Sequence, residues 1–595
     1  MSQTEPPMCE SRPGQPGVLL VLGGTSLLFL AGASAIASVA HKPVAGYEIS
    51  IYDSIPLEFW LCVVGAFLLF SLGLCLPIGL PNRWVSGWSL IGLTGISFLL
   101  SGLPVLRYGT FFDQWDVWFY LGDTTRLAVT GHIDLGSVVY PGLHTLWVGL
   151  AESLGISIPA TGLLLGQITY CLRIPLVYAT TKRVFGNNFA AGAAAALSAI
   201  PDGSVGSYPS PWFLSLTFLL LLAFVWTIRE EFFSVGASSL ALAVILALVV
   251  SHPLTPVFVI LTFISVFFAS RIGRAIASRK GEDRRAGSRR QSGTIGAYFI
   301  VVYITWAGLL TLAIPTAITL LSESLRSGGL LHPVPYGRFF TLDLIARVYG
   351  SNVILGFYFL TGVALVAKHR VAARKSSYWS LSSLVFASGA LLPVYLTTAS
   401  GLGWGDQLTA RFIQEPTFLF PVVGGALFLW LRSSGVLRRA RGAMVIAVVI
   451  LAPLIVQIPA IYPSPYVARF NYQNTDQLYA SVAWAARNLP SNLPALSNSY
   501  VGRYSYYPMT TDPTAYAKLY HWNDTIPHDI GIHDFFQDRD TYVIVDLETV
   551  EVSSANLRGT WTDPNNRQAQ YMRQESGFNL IYDNGNVQIY LIPAS

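Results

Sequence analysis

Long apolar runs separated by short basic loops leave this chain of 595 residues few ways to fold. They fall near residues 18–40, 57–80, 85–104, 158–181, 188–201, 210–228, 235–251, 254–270, 294–321, 351–367, 378–398, 414–431 and 443–461. A helix of about 20 mostly apolar residues crosses a bilayer, because in hydrocarbon every backbone N–H and C=O must bond within its own segment. Only 12% of the residues are charged and 52% are hydrophobic, where soluble domains carry roughly 25% charged residues. The pattern predicts an α-helical multi-pass membrane protein with about thirteen transmembrane helices.

The orientation follows from Lys and Arg, which collect in short cytoplasmic loops. With the N-terminus inside, the inner loops and tail hold 21 basic residues, eight of them between Arg271 and Arg290, and the outer loops hold 7. The formal charge of +5 is therefore a mark of topology, and nucleic acid is not implied as a partner. The count treats residues 141–157 as a short helix that does not span; as a span it would put Lys182 and Arg183 outside and reverse every later loop.

Residues 1–17 read as a disordered tail, 18–461 as the transmembrane domain with an external loop at 105–157, and 462–595 as an extracytoplasmic domain. In that last part the apolar runs stop. "FNLIYDNGNVQIYLI" reads as a β-hairpin turning at Asn584–Gly585, a pair that accepts the positive φ angles of a tight turn. "TYVIVDLETVEV" reads as a further strand and "TDQLYASVAWAARNL" as an amphipathic helix, so the chain ends in a small soluble α/β domain. The cysteines Cys9, Cys62, Cys75 and Cys171 show neither metal-ligand nor disulfide spacing.

Two carboxylates stand out in the long outer loop. In "GTFFDQWDVWFY", Asp113 and Asp116 lie three apart among six aromatic side chains. Aromatic enrichment is ordinary at a membrane interface, and the bland reading is two solvated loop carboxylates. The sharper one is catalytic: a carboxylate held at the membrane surface can take the proton of an attacking hydroxyl or amide next to a lipid headgroup. Tyr140 and His144 in "YPGLH" are candidates to line a substrate site, and His252 in "VVSHPLTP" stands at an outer helix end. Arg411 in "GWGDQLTARFIQEP" sits at the outer entrance of the twelfth run, where a guanidinium can grip phosphate with two parallel hydrogen bonds. Arg173 lies inside an apolar run and reads as snorkelling or locally paired. Arg326, His332 and Arg338, in a long Gly/Pro-rich outer loop, are weaker candidates. Asp113 and Asp116 could supply two ligands to a divalent cation, but no third is identified, and no metal is assigned.

"FFDQWDVWFY", then "TGHI", then "YPGLH", then a span ending in "TTKRVFG" resemble the first external loop of the GT-C class of membrane glycosyltransferases, which includes protein O-mannosyltransferases and lipid A aminoarabinose transferases. The resemblance implies a GT-C-like transmembrane domain and an inverting transfer of a sugar from a polyprenyl (dolichyl-type) phosphate to an extracytoplasmic glycan, lipid or protein. Asp113 then resembles the acidic residue of that loop and Asp116 is the alternative base, while Arg411 matches the arginine that meets the donor phosphate. A transporter or flippase of a lipid-linked glycan is the competing class. It predicts ionisable residues near the bilayer midplane and repeated halves, whereas here the acidic candidates lie in an outer loop and no repeat is visible.

The topology is testable with cysteines placed at Ser288 and Ser505 and a membrane-impermeant reagent on intact cells. Position 505 is expected to label and position 288 to stay protected; the opposite pattern overturns the orientation.

Overall fold

The computed structural model describes residues 15–41, 50–75, 82–108, 117–133, 140–201, 209–231, 235–252, 255–260, 298–311, 342–367, 419–434 and 442–462, a few single positions between these, and short segments of 480–592. Up to residue 462 the described chain is almost wholly helical. Its helices are α1 (Gln15–His41), α2 (Leu57–Cys75), α3 (Asn82–Tyr108), α4 (Val117–Thr130), α5 (Gly142–Leu154), α6 (Ile158–Cys171), α7 (Arg173–Phe185), α8 (Asn188–Ser198), α9 (Pro211–Glu231) and α10 (Val235–Ser251), followed by α11 (Leu342–Ala367), α12 (Phe420–Ser433) and α13 (Gly442–Gln457).

Among the described residues five segments are long and apolar enough to cross a membrane: Gly17–Ser38, Leu57–Cys75, Trp84–Tyr108, Ile158–Phe185 and Ala346–Val366. Shorter apolar helices at Pro211–Thr227, Val235–Ser251, Tyr298–Gly308, Phe420–Ser433 and Met444–Ala460 fall on further runs of the sequence. The run at 378–398 and most of that at 254–270 lie outside the described residues. Two segments depart from a simple span. Within the run at 294–321 the helix changes to a π turn over Thr305–Leu310. The run at 188–201 is the 11-residue α8, which reaches about 16 Å, half of a hydrocarbon core.

α8 is enclosed along almost its whole length. Its residues Phe189 through Ser198 are all buried, six of them alanines, so neighbouring helices close on it from several sides. A Cβ on Gly192 would come within 2.8 Å of the Leu74 carbonyl oxygen of α2. Small side chains allow such backbone approach, the usual basis of helix association in lipid. Likewise α5, with 13 residues, reaches about 20 Å, short of a bilayer's roughly 30 Å.

Contacts between helix ends respect one alternating order. Arg432, late in α12, stands over Phe189 at the start of α8. At the other end of the bundle the Tyr52 hydroxyl bonds the Ile458 carbonyl just beyond α13, Tyr462 bonds the Leu100 carbonyl of α3, and Ser351 of α11 bonds Gln457. Beside them Glu48 takes both arms of Arg107, at 3.1 Å to Nε and 3.0 Å to Nη2, and accepts the Tyr108 hydroxyl at 2.9 Å. The last two residues of α3 are thereby tied down immediately before the segment that carries Asp113 and Asp116.

Near the C-terminus five strands form one sheet in the order β2-β1-β3-β5-β4: β1 (Ala495–Ser497), β2 (Leu519–His521), β3 (Thr541–Asp546), β4 (Asn579–Asp583) and β5 (Val587–Ile592). β1 is parallel to β2 and β3, whereas β5 is antiparallel to both β3 and β4. The hairpin read from "FNLIYDNGNVQIYLI" is thus β4 and β5, with an irregularity between Leu580 and Tyr582. Trp484, in a helical stretch of the described residues, stacks on Tyr582 at 4.6 Å, and Asn584 donates to Ser481 at 2.8 Å. Ala485 and Ile589 share an apolar cluster with Val117, Leu121, Leu143 and Trp147, so this C-terminal part packs on α4 and α5.

The Glu48–Arg107 pair is 14% and 5% exposed at its side chains, and losing one partner of such a pair strands a buried charge at a cost of roughly 3–5 kcal/mol. Glu48→Gln is therefore expected to lower the melting temperature of the purified protein clearly. Asp343→Asn, which breaks an exposed pair with Arg347 one helical turn away, should cost at most about 1 kcal/mol. Equal shifts would show that the Glu48 clamp carries no special weight.

Candidate functional site

Tyr140, His144 and His252 meet at one end of the bundle, on segments that α6 to α9 separate in sequence. The "YPGLH" element explains how. Pro141 opens α5 with φ −69°, and its carbonyl accepts the Thr145 hydroxyl at 3.0 Å. Gly142 lies so close to α10 that a Cβ would come within 2.9 Å of the Val250 carbonyl oxygen and 3.1 Å of Ser251 Oγ. Only a residue without a side chain lets α5 start there. That contact brings Tyr140 to His252, with ring centroids 6.2 Å apart.

Two residues further on, His144 turns inward, where it is buried. Its Nδ1 is 2.9 Å from Thr124 Oγ1 on α4, and its ring lies 6.0 Å from that of Tyr120, one turn earlier on the same helix. Tyr120 also meets Tyr140 edge-on at 6.3 Å. His252 follows the last residue of α10 and is buried as well. Its Nδ1 lies 3.2 Å from Thr255 Oγ1, which is 2.7 Å from Ser215 Oγ on α9; Ser215 in turn donates to the Trp212 carbonyl at 2.6 Å. A continuous polar and aromatic row therefore runs Thr124, His144, Tyr120, Tyr140, His252, Thr255, Ser215.

Of the residues singled out from the sequence, three are thus gathered into one row. Asp113, Asp116 and Arg411, with Arg326, His332 and Arg338, lie outside the described residues. Asp116 immediately precedes Val117, the buried first residue of α4, and is one helical turn in sequence from Tyr120. Tyr120, Thr124, Ser215 and Thr255 were not legible as site residues. Thr124 carried one usable signal, since it shares a helix face with Val117, Trp118 and Leu121 and is the lone polar member of that buried set.

Arg173 is locally paired rather than snorkelling. Its Nη2 donates to the Tyr170 hydroxyl at 2.6 Å and to the Ile200 carbonyl at 2.9 Å, and its guanidinium lies 3.9 Å from the Tyr170 ring centroid. It stands midway along the 28-residue apolar segment Ile158–Phe185, in the wall of a small cavity that also takes in Ser198, Pro201, Ser351, Asn352 and Pro421. The Tyr170 ring meets Phe213 of α9 at 6.2 Å, between Trp212 and Ser215 in sequence. Among the described residues no group of three or more His, Cys, Asp or Glu could hold a metal ion.

Burial pushes the His144 pKa down to about 4, against a smaller upward pull from the Tyr120 carbonyl, where an ordinary imidazole titrates near 6.5. Between those two values the unfolded chain binds more protons than the folded one, so stability rises with pH across that window. The contribution is complete above about pH 6.5 and is lost as pH falls toward 4, by roughly 3 kcal/mol in all. Thermal unfolding at pH 7.5 and 4.5 measures it: the wild type should lose more stability on acidification than His144→Asn. Equal losses would remove His144 from the account.

Comparison with protein families finds no match, and neither does comparison with curated proteins. Solved structures do show similarity. ArnT from Cupriavidus metallidurans bound to undecaprenyl phosphate aligns over 87% of this chain and 99% of its own, at 11% identity and a TM-score of 0.39. The apo state of the same protein aligns over 86% and 99%, at 10% identity and a TM-score of 0.35.

Proposed function

We propose that this protein is a GT-C-type membrane glycosyltransferase that moves a sugar from a polyprenyl phosphate to an acceptor on the extracytoplasmic side. The observation that carries the reading is the convergence of Tyr140 and His144 from the outer loop with His252 from the end of α10. Both loop aspartates precede α4 in sequence, and Tyr120 and Thr124 of that helix stand in the row. Four residues of chain, from Asp116 to Tyr120, span at most about 14 Å even when extended, and the seven from Asp113 at most about 25 Å. A carboxylate and a row of aromatic and imidazole groups within such reach suit a hydroxyl-bearing substrate beside a lipid headgroup.

In the transfer, Asp113, or Asp116 in its place, takes the proton of the acceptor hydroxyl as that oxygen attacks the anomeric carbon. The bond from the anomeric carbon to the phosphate oxygen breaks with inversion, and the polyprenyl phosphate leaves with the bonding electrons. Arg411 would receive the phosphate oxygens through its two-pronged guanidinium. A polyprenyl phosphate is already a good leaving group, so one carboxylate suffices, unlike the facing pair that hydrolyses glycosides. One observation favours the alternative, a transporter or flippase of a lipid-linked glycan: Arg173 is an ionisable residue midway along an apolar helix, beside a cavity.

Transfer of a radiolabelled sugar from polyprenyl phosphate in purified membranes separates these readings. Removing a positioned base costs about 10²–10⁴-fold in rate, so Asp113→Asn should lose most transfer while still folding and binding donor. Normal transfer by Asp113→Asn with a dead Asp116→Asn moves the base to Asp116. Full activity of the double variant sinks the mechanism, and lipid translocation without transfer would establish the alternative.

A further inference from the structure

Thr124 makes two contacts that together dictate where the proton sits on His144. Its Oγ1 lies 2.6 Å from the Tyr120 carbonyl oxygen and 2.9 Å from His144 Nδ1. A carbonyl oxygen can only accept, and a threonine hydroxyl has one hydrogen to give. That hydrogen goes to Tyr120, so toward His144 the hydroxyl can only accept, and Nδ1 must carry the ring proton. A neutral imidazole has a single N–H, which leaves Nε2 with a bare lone pair.

We propose that Thr124 is a positioning residue for His144: it fixes the imidazole as the Nδ1–H tautomer and so sets Nε2 as the acceptor nitrogen of the ring in the row shared with Tyr120, Tyr140 and His252. Its effect on transfer rests on the transferase reading; the tautomer does not. Both side chains are fully buried, at 0% and 1% exposure, so water does not compete for the contact. The ring is further confined by Tyr120, which meets it at 62°. Burial also keeps the imidazole uncharged at neutral pH, so Nε2 stays a lone-pair acceptor there.

His252 offers no such fixed assignment. Its Nδ1 faces the Thr255 hydroxyl at 3.2 Å and the Thr255 amide at 3.4 Å. The amide can only donate while the hydroxyl can take either role, so the neighbours of this ring leave its tautomer open. The two histidines flanking Tyr140 are therefore unequal, and His144 is the one whose acceptor nitrogen is set by the fold.

The full chain in lipid nanodiscs, carrying histidine labelled with nitrogen-15 in the ring, tests the assignment directly. The chain has nine histidines, and the signals missing from a His144→Asn spectrum identify those of His144. They should show a protonated Nδ1 and a bare Nε2 in the wild type, and in Thr124→Val the proton should move at least partly to Nε2. The same variant should lose about tenfold in kcat, the rate equivalent of one hydrogen bond, with KM and melting temperature near wild type. Thr124→Ser, which keeps the hydroxyl, should restore both the signals and the rate. A wild-type Nε2–H signal, or wild-type kcat in Thr124→Val, overturns the proposal. A wild type that transfers no sugar sinks the transferase reading and the rate half of this proposal with it, while the nitrogen signals still decide the tautomer.

Discussion

Hydrocarbon gives the backbone no hydrogen-bond partner, and the described chain up to residue 462 answers with helices. The same constraint governs their polar side chains. Thr25, Ser38, Thr94, Thr169 and Thr217 each return their hydroxyl proton to a carbonyl four residues earlier on their own helix, which removes a donor that lipid could not satisfy. Arg173 follows a related rule. It donates to the Ile200 carbonyl just past α8, where a helix end leaves acceptors without partners inside the helix.

Lipid also removes most of the hydrophobic drive between helices, so close packing has to come from shape. The alanines of α8 provide it, with helices closing around a segment only half as long as a span. Gly142 repeats the principle at the functional end, where the absence of a Cβ brings α5 onto the tip of α10. Packing and function are joined at that residue: the approach that seats α5 also sets Tyr140 beside His252.

The end of the bundle that carries this row is the more heavily cross-linked one. Glu48 holds the end of α3, Tyr52 and Tyr462 link the segment between α1 and α2 to the end of α13, and the C-terminal strands rest on α4 and α5 through Ala485 and Ile589. Candidate chemistry is thus mounted on short helices braced from two directions, which is how a site keeps its geometry while lipid and substrate exchange.

Much of this architecture was legible in the sequence because its causes are local. Apolar length fixes a helix in lipid, the alternating residues on either side of Asn-Gly form the paired strands β4 and β5, and the aromatic setting of Asp113 and Asp116 together with "YPGLH" marks the stretch from 109 to 144 for attention. What could not be read was whatever depends on residues far apart in sequence. The run at 188–201 looked like any other span until the structure showed a short helix enclosed by its neighbours, and Arg173 could be judged paired only once Tyr170 and Ile200 were placed beside it. Tyr140, His144 and His252 were separate candidates in the chain, each with a bland structural explanation. That they form one row, and that Thr124 stands against Nδ1 of His144, was decided by tertiary structure alone, because a hydrogen bond is set by distances of a few ångströms that sequence separation does not encode.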